Sequence, residues 1–447
     1  MIARALRTLA AGKSRDLAVR ALRIGVLLGL GAALQFLLNW QIARRFGAHQ
    51  TGLFFLAFTL LTILSILARF GLDTALVRLA APLFAQGKVG EVRAVRKTAI
   101  LFSLGVSALL AAALYAASGP LAASVFSDPG LAPHLRIVAA AIPFLSLALL
   151  NSELLRALRR IELSVFLKQI LMYLVANLLL ALSLARSTAA ATAIFAASIL
   201  VGAVAGEVLL RVHLRRESRG EAAAAAASPY PLRRLLALSS PLLAVSLSGL
   251  VLQWTDTLLL GVLADARAVG VYNVAMRIAQ LLTFVLSSMN TLIAPQFSVL
   301  FQAGRLEELG ELFRRATVAM LVLTTPPLLV LLLFPRQILA LFGAEFTAGA
   351  GVLVVLAVGQ FVNAVTGPVG FLLAMTRYER VLAATAAGTA VLDIALNLAL
   401  IPRYGILGAG VATSVSLVLK NLLLTWQMRR KIGILPAVLD FGGRRKS

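Results

Sequence analysis

A few polar and ionisable side chains stand inside long apolar runs of this chain, and any chemistry it performs must draw on them. Asp256, in Gln253-Trp-Thr-Asp256, lies far from any basic loop. A carboxylate facing lipid is costly, so it should face a cavity or meet a cation. Two readings are open: a coupling-ion or proton site, or a structural pair with Arg277, about two turns into the next apolar run. Arg277 carries a planar, permanently charged fork that suits two oxygens of an anion, unless it snorkels to the interface. Asp393 and Asn397 are one turn apart and share a helix face, as glue between helices or as ligand contacts. Lys168 and Lys420 lie deeper than the loop cations and either offer an ammonium to an anion or reach back to the headgroups. Asn39, Gln35 and Gln253 can hydrogen-bond hydroxyl groups or bridge helices. Glu207 stands four residues before Arg211, an ordinary ion pair on a helix surface. The chain has no cysteine, so there is no thiolate nucleophile and no Cys-ligated metal, and His49, His134 and His213 are too scattered to share a metal. No catalytic residue, metal or cofactor is expected.

The elements that position these groups are membrane helices. Of the 447 residues 60% are hydrophobic and 13% charged, where a soluble domain carries roughly a quarter charged. A bilayer core about 30 Å thick needs about 20 apolar residues per helical span. Such stretches occur at 21–43, 52–71, 98–118, 132–152, 163–185, 189–210, 235–262, 271–294, 316–334, 350–374, 381–401 and 406–427, which predicts an all-α protein of about twelve spans. The first of them is of full span length without a cleavage site behind it and reads as a retained helix. The net charge of +24 comes from residues that punctuate apolar spans instead of forming one basic face, so nucleic-acid binding is excluded. Basic residues crowd alternate loops: Arg4 to Arg23, Arg78 to Lys97, Arg156 to Arg160, Arg211 to Arg234 and Arg429 to Lys446. The loops between them hold little beyond Arg44, Arg45, Arg186 and Arg403. The positive-inside rule then places both termini in the cytoplasm of a cell whose inner membrane the chain crosses, with the loop cations touching anionic lipid.

The chain also repeats itself at an offset of about 217 residues. Gly52-Leu-Phe-Phe-Leu-Ala57 matches Gly270-Val-Tyr-Asn-Val-Ala275, and the Glu91 to Thr98 stretch matches Glu308 to Ala316. Leu155-Arg-Ala-Leu-Arg-Arg-Ile-Glu162 matches Leu372-Leu-Ala-Met-Thr-Arg-Tyr-Glu379, which aligns Arg160 with Arg377. Six spans per half give two parallel repeats around a central cavity, with lobes at 1–215 and 235–447 and an alanine-rich linker at 216–234. Prolines inside spans, at Pro143, Pro241, Pro295, Pro326-Pro327 and Pro368, allow bends. No outer loop is long enough to build the soluble domain of a glycosyltransferase or polymerase.

Along nearly its whole length the chain resembles the polysaccharide flippases of the multidrug/oligosaccharidyl-lipid/polysaccharide exporter superfamily. The residues that carry the resemblance are Val269-Gly-Val-Tyr-Asn-Val-Ala-Met-Arg277, Ala294-Pro-Gln-Phe297, Leu341-Phe-Gly-Ala-Glu-Phe346 and Asn363-Ala-Val-Thr-Gly-Pro368. The most diagnostic is Leu396-Asn-Leu-Ala-Leu-Ile-Pro-Arg-Tyr-Gly-Ile-Leu-Gly-Ala-Gly-Val-Ala-Thr413. The resemblance implies alternating access for an undecaprenyl-pyrophosphate-linked glycan, whose headgroup crosses while its lipid tail stays in the bilayer. It implies membrane lipids, a polysaccharide polymerase and glycosyltransferases as partners. Under it Arg277 is the first candidate for phosphate, while Asn39, Gln35 and Gln253 become candidates for sugar hydroxyls. The same superfamily includes cation-coupled drug exporters and the peptidoglycan-precursor flippase, which typically has two more helices.

The cysteine-free chain makes the predicted topology testable with single cysteines. A membrane-impermeant maleimide applied to intact cells should label Ser187→Cys and spare Ser228→Cys; the opposite pattern would invert the topology.

Overall fold

The computed structural model describes residues 13–183, 185–217, 229–376 and 378–434. Arg4, Arg7, most of the expected linker, Arg377 of the repeat alignment and the basic residues after 434 lie outside them. Every regular element among the described residues is helical. In hydrocarbon no solvent pairs a free N–H or C=O, and a helix satisfies both within its own chain.

The elements are α1 (Lys13–Arg69), α2 (Leu72–Ala85), α3 (Val89–Pro120), α4 (Leu131–Ala157), α5 (Ile161–Val165), α6 (Met172–Leu182), α7 (Thr188–Glu217) and α8 (Leu232–Leu263). There follow α9 (Ala266–Gln302), α10 (Leu306–Leu333), α11 (Pro335–Ala340), α12 (Ala350–Val365), α13 (Val369–Met375) and α14 (Glu379–Ile432). Single π-helical turns at Leu121–Val125 and Phe166–Leu171 extend α3 and join α5 to α6. Two expected connections turn out to be one residue long: α1 bends at Gly47 (φ 75°) and α14 at Gly405 (φ 55°), so each supplies two spans. Among the described residues, eight helical stretches are long and apolar enough to cross a membrane. With the bent helices taken as pairs and α8 and α9 added, the twelve expected spans are all helical. Helix α2 occupies a stretch whose sequence reads as a loop. It exists because Phe70 (φ 48°) and Gly71 (φ 73°) stop α1 and restart the chain, burying Leu72, Ala75, Leu76 and Ala80. At the Gly367-Pro368 step the tenth span breaks into α12 and α13, since proline supplies no donor and glycine takes φ 79°.

The chain divides into two compact units. The first comprises residues up to Ile42 together with Leu56–Leu247; the second comprises Ala43–Phe55 together with the chain from Ser248. Each has its own apolar core. In the first, Val92, Leu154, Leu155, Leu167, Leu210 and Leu214 pack together; in the second, Leu309, Phe313, Leu372, Leu373, Leu424 and Met428 do so. Val92 and Leu155 of one core correspond to Leu309 and Leu372 of the other at the repeat offset, so both halves use the same packing positions.

Within the second unit the matching glycines meet. A Cβ on Gly52 would strike the carbonyl of Ala266, and one on Gly270 would strike the carbonyl of Ala48. In each case it would also lie 3.0 Å from the other glycine's amide nitrogen. Only glycine permits this approach of two backbones. Gly52→Ala or Gly270→Ala should therefore cost about 1–3 kcal/mol and lower the melting temperature in detergent by several degrees. Gly105→Ala, with open space around it, should leave that temperature unchanged or raise it.

Candidate functional site

In the second unit, four helical segments converge on one buried polar cluster. Helix α8 contributes Asp256, α9 contributes Tyr272, and the two limbs of α14 contribute Asp393, Asn397 and Thr413. Helical spacing explains the last three. Asp393 and Asn397 share a face four residues apart, and the bend at Gly405 returns the chain so that Thr413 meets Asp256 from the other limb. Asp256, Tyr272, Asp393 and Asn397 are each at most 3% exposed.

The hydrogen bonds define the chemistry. Tyr272 Oη donates to Asp256 Oδ2 at 2.6 Å. Thr413 Oγ1 lies 2.7 Å from the same oxygen and 2.9 Å from the Ala409 carbonyl, so its one proton has two acceptors. Asn397 Nδ2 reaches Asp256 Oδ1 at 3.0 Å, Asp393 Oδ2 at 3.2 Å and the Asp393 carbonyl at 2.9 Å, three acceptors for two protons. Its own Oδ1 is buried without a partner. Turning the amide over would aim that oxygen at both carboxylates. The hydroxyl of Ser416 faces Asp393 from α14, too loosely for a hydrogen bond. Acceptors thus outnumber protons. Two carboxylates sharing one amide nitrogen in a dry interior need a cation or protons to balance them.

Arg277 lies on α9, five residues beyond Tyr272. Its guanidinium carbon lies 5.7 Å from the centre of the Trp254 ring, two residues before Asp256, and 6.0 Å from that of Phe55. These are cation–π distances, and they offset part of the hydration that a half-buried Arg loses. The Asp256–Arg277 pair that the sequence left open is not formed: Asp256 takes Tyr272, Thr413 and Asn397 instead.

The other residues singled out in the sequence lie elsewhere. Gln253 is on the exposed side of α8. Lys420 is on α14, seven residues beyond Thr413. In the first unit, Lys168 is ion-paired at 3.0 Å with Glu153, which Arg156 also meets at 2.6 Å. Asn39 is buried in α1, near an amide lattice in which Gln41 donates to Asn177 at 2.9 Å and Gln35 to Tyr173 at 3.0 Å. Glu207 binds Arg211 at 2.6 Å as expected, and also Arg96 and Asn151. Tyr272 and Thr413 were missed as site residues, although both stand in the motifs that carry the family resemblance. One repeat before Asp256, Asp393 and Asn397 stand Asn39, Ala176 and Leu180, so the acidic cluster belongs to the second half alone.

Comparison with known proteins agrees with this architecture. The family profile described as polysaccharide biosynthesis protein matches residues 21–301, and the MatE profile matches residues 241–399. A probable low-salt glycan biosynthesis flippase, Agl15 of Haloferax volcanii, is 26% identical over 179 residues. That match spans 40% of this chain and 38% of the relative, so the chain covers about two-fifths of that protein's length. Among solved structures, the lipid II flippase MurJ superposes with a TM-score of 0.73 at 13% identity, over 91% of this chain and 87% of that one. A multidrug resistance MATE family transporter superposes with a TM-score of 0.74 at 14% identity, over 93% and 98% of the two chains. These likenesses establish the twelve-helix, two-repeat fold. With the profile covering well over half of its residues, the chain belongs to the polysaccharide biosynthesis protein family, a membrane transporter family of the multidrug/oligosaccharidyl-lipid/polysaccharide exporter superfamily.

Proposed function

We propose that this protein is an alternating-access flippase that moves a polyprenyl-pyrophosphate-linked oligosaccharide from the cytoplasmic to the outer leaflet, for surface polysaccharide synthesis. The observation that carries the reading is the surplus of buried acceptors at Asp256, Asp393 and Asn397, in the same unit as a membrane arginine held against Trp254 and Phe55. A cation or proton taken up by the carboxylates supplies the drive, and Arg277 offers its fork to the pyrophosphate. Flipping breaks no bond; it lowers the cost of carrying a charged, hydroxyl-rich headgroup through hydrocarbon. Asn39 and Gln253 are the proposed contacts for sugar hydroxyls, and Lys420 is the proposed source of further positive charge, with Lys168 the weaker candidate because Glu153 already engages it. Agl15 is described as a glycan biosynthesis flippase, which supports a lipid-linked glycan here. The proposed setting is a bacterial inner membrane with both termini cytoplasmic and a polymerase and glycosyltransferases nearby.

The MatE match over residues 241–399 includes Asp256, Asp393 and Asn397, and favours a second reading, a cation-coupled small-molecule antiporter. Deleting the gene in its host separates the two. The flippase reading expects the full-length lipid-linked unit to build up on the cytoplasmic side while surface polymer is lost; unchanged distribution with new drug sensitivity would favour the antiporter. In complementation, Arg277→Ala should lower glycan translocation by about 10- to 100-fold, the loss of a charge-assisted contact of roughly 1.5–3 kcal/mol. Lys168→Ala at equal membrane insertion should keep most of the activity, since Glu153 already engages that lysine. Equal activity of the two variants would remove Arg277 from the phosphate site.

A further inference from the structure

Helix α14 carries one more charge on its inner side. Lys420 follows Ser416 by four residues and Thr413 by seven, so the three lie on one face, about 6 Å and 10 Å apart along the axis. Thr413 touches Asp256, and Ser416 faces Asp393. The opposite side of the helix, with Val415, Leu419, Leu422 and Trp426, is exposed. Among the described residues the Lys420 ammonium makes no ion pair or hydrogen bond. Among the described residues, the ionisable groups that meet Thr413 and its partners on this face are Asp256 of α8, Tyr272 of α9 and Asp393 of the first limb of α14. Helices α12 and α13 pack on α14 and contain no ionisable residue, and the charges of α10 end at Arg315. Asn421, next along, is engaged by Asn363 at 2.9 Å.

An ammonium on the second limb of α14, and two carboxylates on α8 and on the first limb that have more acceptors than protons around them, therefore lie toward the same face of that second limb, in a medium that penalises unbalanced charge. Side chains of a helix lean toward its N-terminus, which aims Lys420 at Ser416, and the bend at Gly405 brings the first limb with Asp393 back beside that stretch. Positions four apart have Cβ atoms about 5–6 Å from each other, within the sweep of a flexible four-carbon stem. We propose that Lys420 is the built-in counter-ion of the Asp256–Asp393 pair. When the pair holds no cation, the ammonium swings from the second limb of α14 onto Asp393 of the first; when a cation arrives, it is displaced. The empty transporter then returns through the membrane without two bare carboxylates, and the cation competes with Lys420 for its site. This rests on the reading of the pair as a cation site.

The test uses full-length protein in nanodiscs in choline buffer, with melting temperature followed as sodium, potassium or protons are added. Wild type should be stabilised by at least one of them, and Asp256→Asn should abolish that response. Lys420→Met should bind the same cation more tightly, by about tenfold if the ammonium holds the site nine-tenths of the time. Without cation it should melt several degrees below wild type, and Asp393→Asn should restore the loss. An unchanged affinity in Lys420→Met, or a melting loss that is the same with and without cation and is not restored by Asp393→Asn, overturns the proposal while leaving the cation site standing. A wild type that no cation stabilises, or an Asp256→Asn variant that responds like wild type, removes the cation site and the role of Lys420 with it.

Discussion

Hydrocarbon offers no partner to an N–H, a carbonyl or a charge, and the rest of this structure is a response to that. The backbone answers with helices, including two whose connection has shrunk to a single glycine. Side chains answer with pairing. Arg69 meets Asp73, Arg96 meets Glu207, Lys168 meets Glu153, and Arg277 lies against Trp254 and Phe55. Against that pattern the Asp256–Asp393–Asn397 cluster stands out. It is as buried as any of them, yet acceptors exceed donors there. A site that stays short of positive charge within the protein is suited to taking it from outside.

The internal repeat shows which features belong to the fold and which to the work. Core positions recur in both halves, as with Val92 and Leu309 or Leu155 and Leu372, because each unit must bury the same helix faces. The acidic cluster does not recur. Asn39, Ala176 and Leu180 stand at its places in the first half, and the nearby polar contacts there are between neutral amides such as Gln41 and Asn177. Packing has been kept in duplicate while charge has been kept once. In the proposed cycle that confines ion coupling to the second unit.

Much of the fold was legible in the sequence, for a physical reason. A span is a local property, about 20 apolar residues between polar ones, so the helices could be counted without knowing how they pack. The repeat and the family motifs were equally visible, being order along the chain. What escaped was distance in space. Asp256 and Asn397 are separated by 141 residues, and nothing local says that they touch. Arg277, nearer in sequence, was the obvious partner for Asp256, but Tyr272 stands five residues earlier and takes that place. Tyr272 and Thr413 sat inside the motifs but carry no charge to draw attention to them. Lys168 had the depth of a substrate contact, and only the fold shows Glu153 within reach. Helix α2 was missed because it lacks span length and follows a break at Phe70 and Gly71.

The central claim is that cation uptake at the buried acids drives movement of an anionic lipid-linked glycan. The most direct measurement is flipping of a fluorescent polyprenyl-pyrophosphate oligosaccharide in proteoliposomes under an imposed sodium or proton gradient, for wild type beside Asp256→Asn. The account predicts that one gradient accelerates flipping in wild type and that the variant loses the acceleration. Flipping that ignores both gradients, or a variant that responds as wild type does, would contradict it.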